Sequence, residues 1–284
     1  MKKTLIAMLT GLIVGQATAH DRFENVEIKA SKLSDSVHML TGAGGNIGVS
    51  AGDDGVLVID DQFEELGPKI RDAIKAISDS DIRYLINTHY HGDHTGSNAW
   101  FKDNEDVTIF AHDNVRVRLI GDNKVSGSAL PVVTYEQGVK FHLNGDVIHV
   151  IHTPASHTDG DSFVWFEKQN IIHAGDMLFK DWFPYIDLDG GGTVEGYMNT
   201  LQAMIDASND ATQIIPGHGP LASRQDLKNS LNMIKVTAKE IKARKDAGMS
   251  IEDAVAKGLD SEWDSWSWNF ITTERWIKTL YNGQ

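Results

Sequence analysis

Cysteine is absent from the 284-residue sequence. That excludes disulfide staples, a thiolate nucleophile and any cysteine metal ligand. Positive charge is also scarce: 26 lysines and arginines face 40 aspartates and glutamates, for a formal net charge of −14. Nucleic acids and anionic membranes attract basic surfaces, so this balance argues against both as partners. Long apolar runs are missing too, except at the start. Met1-Lys2-Lys3 is basic, Thr4 to Gly15 is apolar, and Ala17-Thr18-Ala19 has small residues at its first and third positions. A run of about a dozen residues is too short to span a bilayer as a stable helix. Basic start, apolar middle and A-x-A end mark residues 1–19 as a secretory signal peptide cut after Ala19, which places the mature protein in the periplasm; an uncleaved anchor is the alternative. Residues 1–19 hold two lysines and no acid, so their removal takes the charge from −14 to −16. Residues 20–284 show no linker, repeat or low-complexity run. They are expected to form one domain, large enough to bury a core without disulfides.

Strand and helix patterns alternate along that stretch. Short strands are expected between Val26 and Val58, with a hairpin turn at Gly52-Asp53-Asp54-Gly55. Pro68 to Ile77 has helical spacing, and Ile82 to Ile86 reads as a strand. Further strands are expected at Val107–Phe110, around a second hairpin at Asn144-Gly145, and at Ser162–Phe166, Asn170–His173 and Gln213–Ile215. Helices are expected at Ser97–Lys102, His112–Ile120, Val194–Ala207 and Ala222–Ala247. Hairpins among βα alternations predict mixed sheets.

Asn87-Thr88-His89-Tyr90-His91-Gly92-Asp93-His94-Thr95-Gly96 carries the strongest chemical signal. Three histidines and an aspartate fall within six residues, directly after an expected strand. A loop there can aim several side chains at one point, and imidazole and carboxylate are ligands that zinc accepts when cysteine is absent. Gly92 is expected to let the backbone turn between ligand pairs. A solvated histidine-rich loop is the bland alternative. His157 in Thr153-Pro154-Ala155-Ser156-His157, Asp176 in Ala174-Gly175-Asp176 and His218 in Pro216-Gly217-His218-Gly219-Pro220 each follow an expected strand in a Gly- or Pro-bearing loop. Such a set suits a site assembled at one edge of a sheet scaffold.

H-x-H-x-D-H, then a turn histidine, a G-D aspartate and a G-H-G histidine, resembles the metallo-β-lactamase superfamily, with Asp60 as the first motif and the likeness covering residues 36–220. The resemblance implies a four-layer αβ/βα sandwich of two mixed β-sheets flanked by helices, with two Zn²⁺ per chain at one edge of the paired sheets. It implies His89, His91 and His157 on one metal, Asp93, His94 and His218 on the other, and Asp176 bridging both. Asp60 would orient a ligand histidine or serve only as a strand-end turn residue. Asp176 stands where B1 lactamases carry cysteine and resembles the glyoxalase II-like members instead. Flavodiiron proteins need glutamate at the position of His91, and the complete second ligand set speaks against one-iron sulfur dioxygenases.

Two zincs, two ligand aspartates and a bridging hydroxide would leave the site at about +1 despite the acidic chain. The implied catalytic groups are Asp93 and Asp176, with the metal-bridging hydroxide attacking the carbonyl of a small-molecule substrate. Export favours β-lactam ring opening. The alternatives are a lactone, ester or thioester (glyoxalase II-like) hydrolase and a non-catalytic periplasmic zinc-binding protein. Lys180 either pairs with a substrate carboxylate or is a surface lysine, and the aromatics of Trp182-Phe183-Pro184-Tyr185 are candidate pocket walls. The Trp263–Phe270 stretch and Trp276 are expected to dock a terminal helix on the core. His38, His112, His142, His149, His152 and His173 read as structural or surface residues.

Overall fold

The computed structural model describes residues 22–121, 125 and 127–283. The expected signal peptide, residues 1–19, lies outside the described residues.

The first sheet has seven strands in sequence order: β1 (Lys29–Lys32), β2 (Val37–Thr41), β3 (Ile47–Gly52), β4 (Gly55–Ile59), β5 (Ile82–Ile86), β6 (Thr108–His112) and β7 (Val133–Tyr135). Strands β1 to β4 pair antiparallel, and β4 to β7 pair parallel. The second sheet holds β8 (Gly138–Leu143), β9 (Asp146–His152), β10 (Ser162–Phe166), β11 (Ile171–Phe179), β12 (Gln213–His218) and β13 (Ala222–Ser223), ordered β13-β12-β11-β10-β9-β8. Only β11 and β12 pair parallel there. Both sheets are therefore mixed.

Side-chain alternation explains the layering. Along β4, Leu57 and Ile59 join Val164, Phe166, Ile171 and Ile215 of the second sheet, while Val56 and Val58 pack on Ile70, Ile74 and Phe101. Because both faces are covered, β4 is buried throughout, which is why its run is continuously apolar. The covering helices on that side are α1 (Gly67–Lys75), the single turn α2 (Gly92–Thr95), α3 (Asn98–Glu105) and α4 (Asp113–Gly121). The second sheet's outer face is covered by α5 (Val194–Ala207), α6 (Arg224–Asp246), α7 (Ile251–Lys257) and α8 (Thr273–Asn282). In α6, Leu227, Leu231, Ile234, Ala238 and Ile241 recur on one face and turn it toward that core. A capping box of Ser223 and Asp226 starts the helix. The order helix, sheet, sheet, helix is the expected αβ/βα sandwich.

Both expected hairpins form. Gly52 pairs with Gly55. Asn144 and Gly145, at φ of 54° and 74°, make the turn between β8 and β9. Several boundaries shift by a residue or more, and three of the shifts bear on the site. Strand β11 does not stop at His173 but runs to Phe179, so Asp176 sits in a strand and not in a loop after one. Gly175, at φ +52°, forms an irregularity in the β11–β12 register, and pairing resumes beyond it. A glycine that reads as a stop is here the residue that permits a bulge. Likewise β12 extends through His218, and the segment expected to be helical from Ala222 opens with β13.

Candidate metal centre

Five segments converge at one edge of the paired sheets. Asp60 follows β4, His89 to Asp93 follow β5 and enter α2, His157 follows β9, Asp176 lies in β11 and His218 ends β12. All seven residues that the resemblance implied as ligands meet there, in two clusters. His89, His91, His157 and Asp176 each offer a ligand atom within 4.8 Å of the others, and so do Asp93, His94 and His218. His91 Nδ1 lies 2.9 Å from His157 Nε2, and His94 Nε2 lies 3.4 Å from His218 Nε2. Asp176 faces both clusters. Its Oδ2 is 3.5 Å from His157 Nε2 and 3.8 Å from His89 Nε2, while Oδ1 is 3.0 Å from His94 Nε2 and 3.3 Å from His218 Nε2. Asp93 Oδ2 completes the second cluster, 3.3 Å from His218 Nε2.

The donor set suits a cation. Buried polar atoms are normally paired. Yet among the described residues no group of hydrogen-bonding geometry meets the buried His89 Nε2 or Asp176 Oδ1, and both belong to the clusters. Several histidine rings are also held from behind, so that the other nitrogen faces inward. His89 Nδ1 lies 3.0 Å from the Thr88 hydroxyl, His157 Nδ1 lies 2.7 Å from the Tyr185 carbonyl, and His94 Nδ1 lies 2.7 Å from Asp60 Oδ2. Asp60 also accepts from the Thr88 amide and hydroxyl, both at 2.8 Å, so it holds the His94 ring in place, in line with the first of its two expected roles.

His91 is held by a residue that the sequence reading missed. Its Nε2 lies 3.0 Å from Asp187 Oδ2, which also accepts from the Tyr90 hydroxyl at 2.5 Å. Burial alone would raise the Asp187 carboxyl, but the hydrogen bonds from His91 and Tyr90 hold it below the usual carboxylate range. Asp187 lies 96 residues from His91 and in none of the spaced motifs, so no local signal marked it.

Proton affinity separates the clusters. Burial lowers the His89 imidazole well below its ordinary value and takes His157 down to about 4. Burial also opposes charge on His94 and His218, but the carboxylates outweigh it. Asp176, Asp93 and Asp60 raise His94, and Asp176 and Asp93 raise His218 to about 9. Asp176 would itself be raised by burial, yet His94 and His218 hold it well below the carboxylate range.

Two glycines near the clusters differ in what they are needed for. At Gly45 a Cβ would meet His94 Cε1 at 2.1 Å, so the backbone must stay bare for the ring to fit. Gly92 has no such need: a Cβ there would meet nothing within 4 Å, and its φ is not positive. The turn between the ligand pairs is made by α2, whose ordinary helical geometry needs no glycine.

A cavity of about 550 Å³ opens over the centre, and five aromatic rings line it: Phe63, Phe179, Tyr185, Trp268 and Phe270. The expected aromatic loop divides. Tyr185 lines the cavity, Trp182 stacks on Trp268, and Phe183 is buried against Trp276. The C-terminal tryptophans divide too. Trp263 and Trp276 dock on the core as expected, whereas Trp268 and Phe270 reach the cavity, pinned by Trp268 Nε1 donating to the Phe183 carbonyl at 2.9 Å. Lys180 turns away: its ammonium donates to the Leu221 carbonyl at 3.0 Å and lies 3.5 Å from Asp226. The remaining described histidines lie outside both clusters. His173 is buried 3.1 Å from the Asn46 carbonyl, and His112 stacks on His152.

A family model of the metallo-beta-lactamase superfamily matches residues 40–218, so the chain belongs to that superfamily. Metallo-beta-lactamase IND-1 of Chryseobacterium indologenes is 22% identical over 181 residues, 63% of this chain and 74% of the relative. Hydroxyacylglutathione hydrolase of Rhizobium meliloti is 28% identical over 140 residues, and the match spans only 48% of the length of each. Among solved structures, a metallo-beta-lactamase from Pontibacter korlensis superposes with a TM-score of 0.65 at 17% identity, covering 74% of this chain and 99% of its own. DIM-1 metallo-beta-lactamase gives 0.63 at 18% identity, covering 75% and 99%. At such identities the superpositions speak to fold alone.

Proposed function

We propose that the chain is an exported zinc-dependent hydrolase that attacks a carbonyl, with β-lactam ring opening in the periplasm as its leading reaction. The division of Asp176 between two histidine clusters carries this proposal: one carboxylate offering an oxygen to each side is what a two-metal site requires. When bound, two zinc ions supply an acidified water as nucleophile and polarise the substrate carbonyl. His89, His91 and His157 hold one ion, and Asp93, His94 and His218 hold the other. Both Asp93 and Asp176 line the cavity, and Asp93 is the more open, its side chain 27% exposed against 5% for Asp176. The Asp93 carboxylate would take a proton from the attacking water and pass it to the leaving nitrogen, oxygen or sulfur. The aromatic walls exclude bulk water and hold the substrate's apolar part.

A second reading has its own support. An aspartate bridge in a cysteine-free chain, and the likeness to a hydroxyacylglutathione hydrolase, favour cleavage of a thioester, lactone or other ester. Turnover of a chromogenic cephalosporin by purified, zinc-loaded protein supports the lactam reaction. No lactam turnover beside good rates on lactones or thioesters would reverse the order.

A further inference from the structure

The free cation beside the cavity comes from the segment ahead of β1, not from the stretch that follows Asp176. Lys180 follows Asp176 by four residues, but its ammonium is taken up by the Leu221 carbonyl and Asp226. Arg22 instead lines the cavity. Its guanidinium carbon lies 4.9 Å from the ring centre of Phe23 and 5.3 Å from that of Phe63, itself a cavity wall. Among the described residues Arg22 forms no ion pair and no hydrogen bond, and it is exposed. A guanidinium resting on an aromatic face keeps its forked N–H edge free for a planar anion. The other nearby arginine is partly spent. Arg275 lies 4.2 Å from the ring centre of Phe270 and 5.0 Å from that of Tyr185, and its Nη1 donates to the Phe270 carbonyl at 3.1 Å. Arg275 braces two walls, whereas Arg22 has its donors unspent.

The cavity thus presents three chemistries: metal-ligating side chains, aromatic walls and one free guanidinium. The chain's net charge of −14 does not decide what binds there. Exposed charges beyond about 10 Å are largely screened at moderate ionic strength, while a bidentate arginine–carboxylate pair acts at contact. We propose that Arg22 is a specificity residue that binds a carboxylate on the substrate. The substrate is then an amphipathic carbonyl compound: its carboxylate on Arg22, a planar apolar group on the aromatic walls and its carbonyl at the metal ligands. This rests on the hydrolase reading above for the carbonyl end only.

Two thiols that differ by one carboxylate test it. 2-Mercapto-3-phenylpropanoic acid and 2-phenylethanethiol both offer a sulfur to the metals and a ring to the walls. Calorimetric titration of each into zinc-loaded full-length protein should show the acid binding on the order of tenfold more tightly. Arg22→Ala should abolish that preference and leave binding of the neutral thiol unchanged. Arg22→Lys should retain part of it, and Lys180→Ala all of it. No preference in the parent protein, a preference undiminished in Arg22→Ala, or one that vanishes in Lys180→Ala would overturn the assignment and leave the hydrolase reading standing. Failure of both thiols to bind the zinc-loaded parent would overturn the metal-site reading and this proposal together.

Discussion

The two halves of the candidate metal centre are held by opposite electrostatics. In the half with His89, His91 and His157, burial dominates: His89 and His157 are pushed toward the neutral state that ligation requires. In the half with Asp93, His94 and His218, carboxylates dominate, and His94 and His218 are pushed toward the charged state. The first half is therefore poised to receive a cation without losing protons from those two rings. The second must expel protons to do so, and it gains a carboxylate ligand in return. Asp176 is common to both.

That shared residue gives the largest expected effect. Asp176→Ala should lose most bound zinc and most hydrolytic activity, because it strips one ligand from each half at once; metal content by atomic absorption together with turnover checks it. Two retained zincs with full activity would refute the bridging role.

Acidification should separate the halves. Because the His218 proton affinity is raised to about 9, metal binding in the second half must displace a proton throughout the neutral range. Each unit of falling pH should weaken that half by up to about tenfold for every proton displaced. His157, lowered to about 4, stays neutral until far lower pH. Zinc stoichiometry measured by competition with a chelator should therefore fall from two to one before it falls further as pH drops from 8 to 5.5. Simultaneous loss of both ions would break the comparison.

The residues behind the ligands give a smaller effect. Asp187→Asn should weaken zinc binding in the first half by roughly 10–100-fold, the usual cost of losing a carboxylate behind a ligand histidine. Asp60→Asn should do the same in the second. Chelator titrations of the two variants should show the weakened ion switching sides. If both variants weakened the same ion, Asp187 and Asp60 would not act through separate ligands.

What could be read from the sequence follows the range of each interaction. Strand β10 matches its expected bounds at Ser162–Phe166, and α5 its bounds at Val194–Ala207, because local periodicity and capping define them. Strand β11 was cut short because Gly175 looks like a terminator unless β12 is known to pair beyond it. The seven candidate metal residues were legible because they stand in short Gly- or Pro-bearing motifs, and Asp60 was legible as a strand end. Asp187 was not, since nothing near it in sequence says that Tyr90 and His91 will reach it. The aromatic C-terminal stretch was legible as apolar. Which of its rings would be buried and which would face a cavity was not.

The sequence by itself determined the ligand types, the alternation of sheets and helices, the superfamily and the absence of thiolate chemistry. Each is written in residue identity or in spacing over a few positions. Only the tertiary structure decided that Asp176 turns one oxygen to each half, that Asp187 backs His91, that Lys180 points away and that Arg22 lines the cavity. Those are contacts between segments distant along the chain, and their geometry exists only once the two sheets pack and bring their edges together.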